Sequence, residues 1–424
     1  MATQAVMEEA LAARFARVRA LSRALAAPLS DADATIQPHP DASPAKWHLA
    51  HTTWFFETFV LRDHVPGYSA CDERWAYLFN SYYEGEGERH ARAKRGMLSR
   101  PGLDEVLDYR EAVEESVVAA LPSLPTEAVE LIELGLQHEQ QHQELMLMDM
   151  LAAMAENPLR PAIFPPLPAG LSGPSGPFEW IARPGGLVEI GHSGPHFAFD
   201  CETPRHRVFL EPHALADRPV SNSEWLQFMD DGGYADPLLW LADAWDWVRE
   251  KQVAAPLYWE QRDGGWQRFG LDGLRPLAPA APVCQISFYE ADAFARWAGA
   301  RLPSEAEWEA AALNFDANGG HQLDQAGPVQ PRPAEHRERH ELRELRELFG
   351  NVWEWTASAF RPYPGFKPAA GAVGEYNGKF MSGQMVLRGG SCATPRGHMR
   401  ASYRNFFYPH QRWMFSGLRL ARDD

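Results

Sequence analysis

The first third of the chain carries the hydrophobic period of α-helices. Apolar side chains recur every three or four residues in long stretches such as Glu127 to Met154, with few glycines between them. That spacing gathers the apolar residues on one face of a helix. The pattern therefore predicts a helical domain over residues 1–156.

A different pattern begins after this domain. Residues 157–177 hold seven prolines and three glycines, and proline removes a backbone donor and disfavours helix before it, so we expect a linker or an extended strap. Residues 178–424 contain short β-type runs between turn signals, including Arg207–Leu210 and Met385–Arg388. A helical half followed by a β-rich half predicts an α+β fold.

Helices are also expected within the β-rich half. One runs from about Ser287 to Gly299, and a second opens at Pro303. The alternating charges of residues 335–347 predict a solvated helix face or a loop.

Composition and charge exclude several functions. The chain is 45% hydrophobic and 23% charged, which is typical of a globular protein, and its formal net charge is -17. Phosphate binding needs clustered Lys and Arg, so we expect no nucleic-acid partner, and an anionic surface is not drawn to anionic membranes. The N-terminus lacks the apolar core of a signal peptide, and four scattered cysteines suit a reducing compartment. We expect a cytoplasmic protein.

The strongest chemical signal is the pair His138 and His142. Residues four apart on a helix project from one face, a turn apart, so both imidazoles can reach one metal ion. A third histidine, His51, lies in another predicted helix, three residues after His48. The alternative is a set of hydrogen-bonded core histidines among the neighbouring aromatic residues.

Three neutral imidazoles without an obligatory carboxylate leave coordination positions open. Such a site suits zinc with water, or iron(II) with substrates and oxygen, and the residues alone do not choose between these metals. Gln141 is a candidate neighbour of the site, on a different helix face from His142. Glu144 and Asp149 are expected to be solvated or capping groups.

A second candidate site lies between the histidine segments. Tyr82 and Tyr83 either offer a phenol proton or pack in the core. A basic run follows, which either binds a carboxylate or phosphate of a substrate or forms surface salt bridges. Its members are Arg89, His90, Arg92, Lys94, Arg95 and Arg100.

Two domain types are identified from motifs. The N-terminal pattern resembles the DinB-type four-helix bundle, a fold that binds metal through three histidines. The C-terminal half resembles the formylglycine-generating-enzyme (sulfatase-modifying-factor) domain, whose fold is related to C-type lectins. The motifs that carry this second resemblance are Pro219-Val220-Ser221-Asn222-Ser223-Glu224-Trp225, Arg301-Leu302-Pro303-Ser304-Glu305-Ala306-Glu307-Trp308-Glu309, Gly350-Asn351-Val352-Trp353-Glu354-Trp355, Leu387-Arg388-Gly389-Gly390-Ser391 and Gly417-Leu418-Arg419-Leu420-Ala421.

The two domains in this order resemble the ergothioneine-biosynthesis sulfoxide synthases. That family uses non-haem iron(II) and O2 to attach a thiol to C2 of the imidazole of hercynine, and its sister, selenoneine synthase, joins a selenosugar instead. The resemblance implies that His51, His138 and His142 bind iron(II). It also implies that Tyr82 or Tyr83 delivers a proton during oxygen reduction, as in the version of the family that takes cysteine rather than γ-glutamylcysteine.

Substrate contacts are implied by the same resemblance. Gln141 matches a hercynine-contacting position, and Asn405 and Phe406 match residues that line the hercynine pocket. The sulfur enzymes usually carry Cys where Ser382 stands, and a free thiol beside a selenol invites selenenyl-sulfide exchange, so serine favours a selenium donor. The alternative is a neutral replacement in an enzyme that uses sulfur. The full set of expected substrate-binding residues is Gln141, Asn405, Phe406, Phe407, Arg89, Arg92, Arg95 and Ser382.

Other functions remain as alternatives. A DinB-type metal-dependent thiol transferase would turn over without O2, but it leaves the C-terminal half unexplained. A lectin-like binding module would keep its ligand after His138 or His142 is replaced by Ala. Ovothiol-type synthases usually carry a further methyltransferase domain, whereas this chain ends at Asp424, and formylglycine generation needs paired cysteines where Cys392 stands alone. We expect a bundle that supplies the iron and a lectin-like domain that closes the substrate cleft over it.

Overall fold

The structure, a computed structural model, describes residues 2–167, 176–334, 344–369, 374 and 377–423. They form two compact units. The first is built mainly from Met1–Phe164, and the second from Pro165–Leu323, Pro328–Ala369 and Asn377–Asp424. Residues 168–175 of the expected linker and residues 335–343 of the expected charged segment lie outside the described residues.

The first unit is helical. Its α-helices are α1 (Ala2–Ala26), α2 (Asp31–Thr35), α3 (Ala45–Phe56), α4 (Trp75–Phe79), α5 (Leu103–Ala120) and α6 (Thr126–Glu156). A π-helical turn, Glu57–Arg62, continues α3. The helical prediction is confirmed in the long helices α1, α3, α5 and α6, whereas the stretch between α3 and α5 consists mostly of short turns and loops.

Helix α3 is buried along its whole length. All 12 of its residues are buried, although two are histidines and one is a lysine. The helix packs against α1, α5 and α6. A helix that is enclosed in this way can keep polar side chains only where each one finds a partner inside the protein.

A buried ion network joins the helices around α3. The Glu139 carboxylate of α6 accepts hydrogen bonds from Arg19 of α1 (2.9 Å), from Arg110 of α5 (2.7 Å) and from the Ser22 hydroxyl (2.6 Å). Arg110 also donates to the Leu49 carbonyl of α3 at 2.9 Å. Burial raises the pKa of Glu139, but the two guanidiniums outweigh it and hold that pKa to about 2. The network therefore fixes α6 against α3.

The second unit begins its helices with serine. Its described α-helices are α7 (Asn222–Asp230), α8 (Ala242–Lys251), α9 (Phe288–Trp297) and α10 (Glu305–Ala312). Ser221, Ser287 and Ser304 cap α7, α9 and α10, and each belongs to a Ser-x-x-Glu capping box. The helices expected near Ser287 and Pro303 are confirmed. The prediction was incomplete, because it named neither α7 nor α8.

Short strands complete the second unit. They are β1 (Trp180–Arg183), β2 (Gly186–Ile190), β3 (His206–Leu210), β4 (His213–Ala216), β5 (Trp259–Arg262), β6 (Gly265–Gly270), β7 (Gly273–Pro276), β8 (Trp353–Ala359), β9 (Met385–Arg388), β10 (Asn405–Phe407), β11 (Ser416–Gly417) and β12 (Ala421–Asp423). They pair in the orders β1-β4-β12, β10-β9-β8-β11, β2-β3 and β5-β6-β7, antiparallel except for β11 with β8. The strands expected at β3 and β9 are confirmed, and so is the α+β fold class.

Ion pairs inside the second unit explain much of its motif sequence. Glu354 of β8 pairs with Arg419 at 2.7 Å, and it also accepts the Trp308 indole N–H at 2.8 Å. A second buried pair joins Arg388 of β9 to Glu309 of α10. Removing one partner would leave an uncompensated charge in the core, at a cost of about 3–5 kcal/mol. These motif residues therefore hold the fold together. No helix among the described residues is long and apolar enough to cross a membrane.

Candidate metal centre

Three buried histidines from two helices meet in the first unit. His51 comes from α3, and His138 and His142 come from successive turns of α6. One ring nitrogen of each lies within 4.8 Å of the others, and the ring centroids are 4.6 to 5.0 Å apart. In the part of the chain that the structure describes, this is the group of His, Cys, Asp or Glu side chains close enough to share a metal ion. The structure brings together the histidines that the sequence singled out.

One hydrogen bond and two stacking contacts fix the orientation of the His51 ring. Its Nδ1 lies 2.5 Å from the Phe79 carbonyl oxygen, which can only accept, so Nδ1 carries the proton. The indole rings of Trp47 and Trp54 stack with it, with centroids 4.6 Å and 5.8 Å away. In the neutral ring Nε2 is then the unprotonated nitrogen, which is the atom that a metal needs.

His142 is held through a second histidine. Its Nδ1 lies 2.8 Å from Nδ1 of His48, and Nε2 of His48 lies 3.0 Å from Oδ2 of Asp149. The same carboxylate oxygen accepts the backbone N–H of Ser43 at 2.7 Å. The expectation that Asp149 and Glu144 are solvated or capping groups is wrong, because both side chains are buried. Asp149 lies two helical turns beyond His142 and faces the start of α3.

Burial keeps the three histidines neutral. It lowers the pKa of His138 to about 4. It also lowers the pKa values of His51 and His142 well below their ordinary value, and His138 lowers both further. Since a metal binds the unprotonated imidazole nitrogen, the cluster is ready for a metal at neutral pH.

This donor set fits a divalent transition metal. Imidazole nitrogen binds a metal such as zinc at about 2.0–2.1 Å, and the three candidate ligand atoms already lie within 4.8 Å of one another. Three protein ligands leave further positions for substrates. The nearby carboxylate of Asp149 accepts hydrogen bonds from His48 and Ser43. It therefore contacts the ligand His142 only indirectly, through His48.

The two candidate tyrosines lie in different surroundings. Tyr83 is buried, and its ring packs against Trp54 (5.7 Å) and Phe59 (5.2 Å). Because Trp54 also stacks with His51, the Tyr83 ring belongs to the aromatic shell of the histidine cluster. Tyr82 is half-buried. The role of either phenol as a proton donor stays a prediction.

Arg95 differs from the other basic residues because it is buried. Its guanidinium donates to the hydroxyls of Ser43 (2.9 Å) and Ser81 (3.1 Å), and it lies over the Trp47 ring at 3.3 Å. Burial lowers its pKa to about 9. Arg95 therefore braces the indole that stacks with His51.

Arg89 and Arg92 lie closer to the surface. Arg89 forms an ion pair with Glu84, and Arg92 donates to the Tyr82 hydroxyl at 2.6 Å. The ion pair of Arg89 matches the salt-bridge alternative weighed for the basic run. A role for Arg89, Arg92 or Arg95 in substrate binding stays a prediction.

The remaining candidates lie in several places. Gln141, on α6, is half-buried. Asn405, Phe406 and Phe407 form β10, where the Asn405 side chain accepts the backbone N–H of Phe406 at 2.9 Å and Phe406 stacks on a neighbouring ring 4.1 Å away. Ser382 is exposed in a turn. Substrate contacts of these residues stay predictions.

The pairing of His48 with Asp149 was not predicted from the sequence. A signal for it exists, since Asp149 follows His142 by seven residues and therefore shares its helix face. The same reasoning explains why His48 reaches α6, because it lies one turn before His51 on α3.

Two family descriptions match the chain. "DinB superfamily" matches residues 14–146, and "Sulfatase-modifying factor enzyme 1-like domain" matches residues 177–424. The second match covers more than half of the chain. Both domain types expected from the motifs are confirmed, in the expected order.

Several named relatives also match the chain, two of them over nearly their whole length. The chain is 34% identical to the hercynine oxygenase of Mycolicibacterium smegmatis over 93% of this chain and 94% of that protein. It is 32% identical to the hercynine oxygenase of Mycobacterium tuberculosis over 98% of this chain and 99% of that protein. Ergothioneine biosynthesis protein 1 of Schizosaccharomyces pombe is 26% identical, over 54% of this chain and 28% of that protein. The first two alignments extend over both units.

Proposed function

Because the chain belongs to the hercynine oxygenase family, we propose that it is a non-haem iron(II) enzyme that uses O2 to join a selenium or sulfur donor to C2 of the imidazole of hercynine. The observation that carries this proposal is the buried cluster of His51, His138 and His142. All three imidazoles are neutral, and the cluster includes no carboxylate ligand. An acidic chain with scattered free cysteines suits the cytoplasm as the place of this chemistry.

The choice of iron follows from the proposed reaction. Three imidazoles also suit zinc, but zinc has no redox chemistry, whereas an oxidative coupling has to pass electrons to O2. When bound, iron(II) would supply that redox activity together with open positions for the substrates. The residues around the cluster do the rest: Trp47 and Trp54 exclude water from His51, and the hydrogen bond to Phe79 orients its ring.

A proton donor and a substrate pocket complete the proposal. Tyr82 or Tyr83 would deliver a proton during oxygen reduction, as a phenol held close to the reacting groups can do. Gln141, Asn405 and Phe406 would contact hercynine, with Phe407 beside them. The quaternary ammonium of hercynine favours aromatic faces, which supports a place for it among phenylalanine rings.

We propose a selenosugar as the donor. Support comes from Ser382, which stands in an exposed turn where the sulfur enzymes usually carry a thiol that could exchange with a selenol. A cysteine or γ-glutamylcysteine donor is the second candidate, and it is favoured by the likeness to an ergothioneine biosynthesis protein. Arg89, Arg92 and Arg95 would hold polar groups of either donor.

One experiment separates these candidates. The protein is loaded with iron(II) without oxygen and then given hercynine, O2 and equal amounts of cysteine, γ-glutamylcysteine and a selenosugar, and the products are identified by mass spectrometry. We expect a selenium–hercynine adduct that requires both iron and O2. A dominant cysteine sulfoxide adduct would assign the enzyme to sulfur. Turnover without O2, or no adduct of hercynine, would refute the oxygenase proposal and favour a metal-dependent thiol transferase.

A further inference from the structure

We propose that His48 and Asp149 are positioning residues that fix the tautomer of His142 and thereby determine how tightly the centre holds its metal. The inference rests on the metal site proposed above. It concerns residues that do not touch the metal, and it follows from the direction of three hydrogen bonds.

Asp149 determines which atom donates and which accepts in each of these hydrogen bonds. An ionised carboxylate can only accept hydrogen bonds, and its Oδ2 already takes the Ser43 N–H at 2.7 Å. The Nε2 atom of His48 lies 3.0 Å from the same oxygen. That nitrogen must therefore carry the proton, because two acceptors at this distance would repel each other.

The proton on Nε2 of His48 decides the state of its other nitrogen. In a neutral imidazole one nitrogen donates and the other accepts, so Nδ1 of His48 is an acceptor. It lies 2.8 Å from Nδ1 of His142, which must then be the donor. His142 consequently keeps Nε2 unprotonated, and that is the nitrogen left for a metal.

The opposite direction would disable the ligand. If His48 carried its proton on Nδ1, His142 would have to accept at Nδ1 and place its own proton on Nε2. A protonated Nε2 cannot coordinate. Asp149 therefore acts through His48 to keep His142 in the binding tautomer, as second-shell carboxylates do in other metal sites.

The ring orientations of His51, on α3, and His142, on α6, depend on different contacts. His51 is oriented by the backbone carbonyl of Phe79, which no side-chain substitution removes. His142 depends on two side chains, one of them on α3 and the other on α6. The control of His142 can therefore be tested by mutation, with the His51 contact unchanged as an internal reference.

Two substitutions of His48 separate its two hydrogen bonds. Asparagine places its amide where Nδ1 of the imidazole was. His48→Asn therefore keeps a hydrogen-bond acceptor for His142 but loses the hydrogen bond to Asp149. Glutamine reaches the position of Nε2. His48→Gln therefore keeps a hydrogen-bond donor for Asp149 but loses the hydrogen bond to His142. We expect His48→Gln to weaken metal binding by about 10- to 100-fold and His48→Asn to weaken it less.

Asp149 offers a matched series. In Asp149→Asn the Ser43 N–H selects the amide oxygen as its acceptor, and that oxygen can still accept from His48, so we expect affinity close to that of the wild type. Asp149→Ala removes the acceptor and should weaken binding by about 10-fold or more. Glu57→Ala is the control, because Glu57 is another buried carboxylate of this unit that accepts hydrogen bonds, from Tyr109 at 2.6 Å, outside the histidine chain.

The measurement is the dissociation constant of the full-length protein for Co(II) and for Fe(II) without oxygen, by competition with a chelator. The absorption spectrum of bound Co(II) reports its coordination number and geometry, and urea unfolding of the apo protein reports stability. We expect Asp149→Ala and Glu57→Ala both to lose stability, but only Asp149→Ala to lose affinity. If an alanine variant does not fold, the Asn and Gln pair at position 48 carries the test.

The outcomes distinguish the two levels of the proposal. Equal affinities for wild type, His48→Gln and Asp149→Ala, or tighter binding by His48→Gln than by His48→Asn, would overturn the positioning role and leave the metal site intact. Absence of metal binding by the wild type, or full binding by His138→Ala, would overturn the metal site and the positioning role with it.

Discussion

Replacing Glu139 by Gln tests whether the ion network holds the ligand helices together. The carboxylate accepts hydrogen bonds from Arg19 and Arg110, whose side chains are fully buried. Glutamine has nearly the same shape, but it removes the negative charge and places an NH2 group where one of the two guanidiniums needs an acceptor. Two guanidiniums would then share the core without their counter-charge.

Two routes give the same magnitude for this loss. Breaking a buried ion pair costs about 3–5 kcal/mol. Separately, the pKa of Glu139 falls from 4.5 to about 2 because the attraction of the two guanidiniums exceeds the effect of burial, and a shift of that size corresponds to about 3 kcal/mol. We therefore expect Glu139→Gln to lower the unfolding free energy of the helical unit by about 3 kcal/mol at pH 7.

The pH dependence gives the prediction its sign. A carboxylate with a depressed folded pKa stabilises the protein above its unfolded pKa of 4.5, and that contribution falls as the pH drops toward 2. The difference between wild type and Glu139→Gln should thus shrink to about 1 kcal/mol at pH 3. Urea unfolding followed by helical circular dichroism measures it, with exposed Glu130→Gln on the same helix as the control. A loss under about 1 kcal/mol at pH 7, or one that does not change with pH, would refute the reasoning.

Three further predictions concern the site and the second unit. His138→Ala should abolish stoichiometric metal binding, measured by elemental analysis after dialysis, because two histidines remain. Tyr82→Phe and Tyr83→Phe should be compared for the ratio of hercynine adduct to oxidised donor; the proton donor's variant should shift that ratio toward oxidation, and no shift in either variant would exclude both phenols. Gly389→Ala should destabilise the protein by about 3 kcal/mol, since its φ is +98° and its Cβ would lie 2.5 Å from a backbone carbonyl oxygen. Gly397→Ala, at φ +87° with open space around its Cβ, should lose only about 1 kcal/mol in the same unfolding assay.

The histidine cluster could be approached from the sequence because helical spacing is a local property. His138 and His142 share a face whatever surrounds the helix, and His51 joined them through a family resemblance. Spacing also places Asp149 on the helix face of His142, but spacing alone does not predict the contact of Asp149 with His48. That contact depends on which face of α6 meets the start of α3, and α6 is buried on most of its faces near this point. Hydrophobic periodicity therefore does not indicate which face of α6 packs against α3.

The second unit shows a similar division. Helices α9 and α10 were predicted near Ser287 and Pro303, where Ser287 and Ser304 each begin a Ser-x-x-Glu box. Ser221 begins the same box, so α7 was readable from the sequence by this rule. Helix α8 follows Leu241, which offers no side-chain cap, and no local signal marked its start. The ion pairs between distant motifs depend on the tertiary fold, and only the structure shows them.

The position of the ligands along the chain sets the order of events during synthesis. His51 leaves the ribosome early, because α3 ends at Phe56, whereas α6 begins at Thr126 and carries the other two ligands. Every residue of α3 is buried, and much of the helix is covered by α6. We therefore expect α3 to be unstable until α6 has been synthesised and can pack against it. The nascent chain must therefore complete α6 before it can take up metal. Metal that arrives later would stabilise the finished bundle, because the three histidines lie together only in the folded protein.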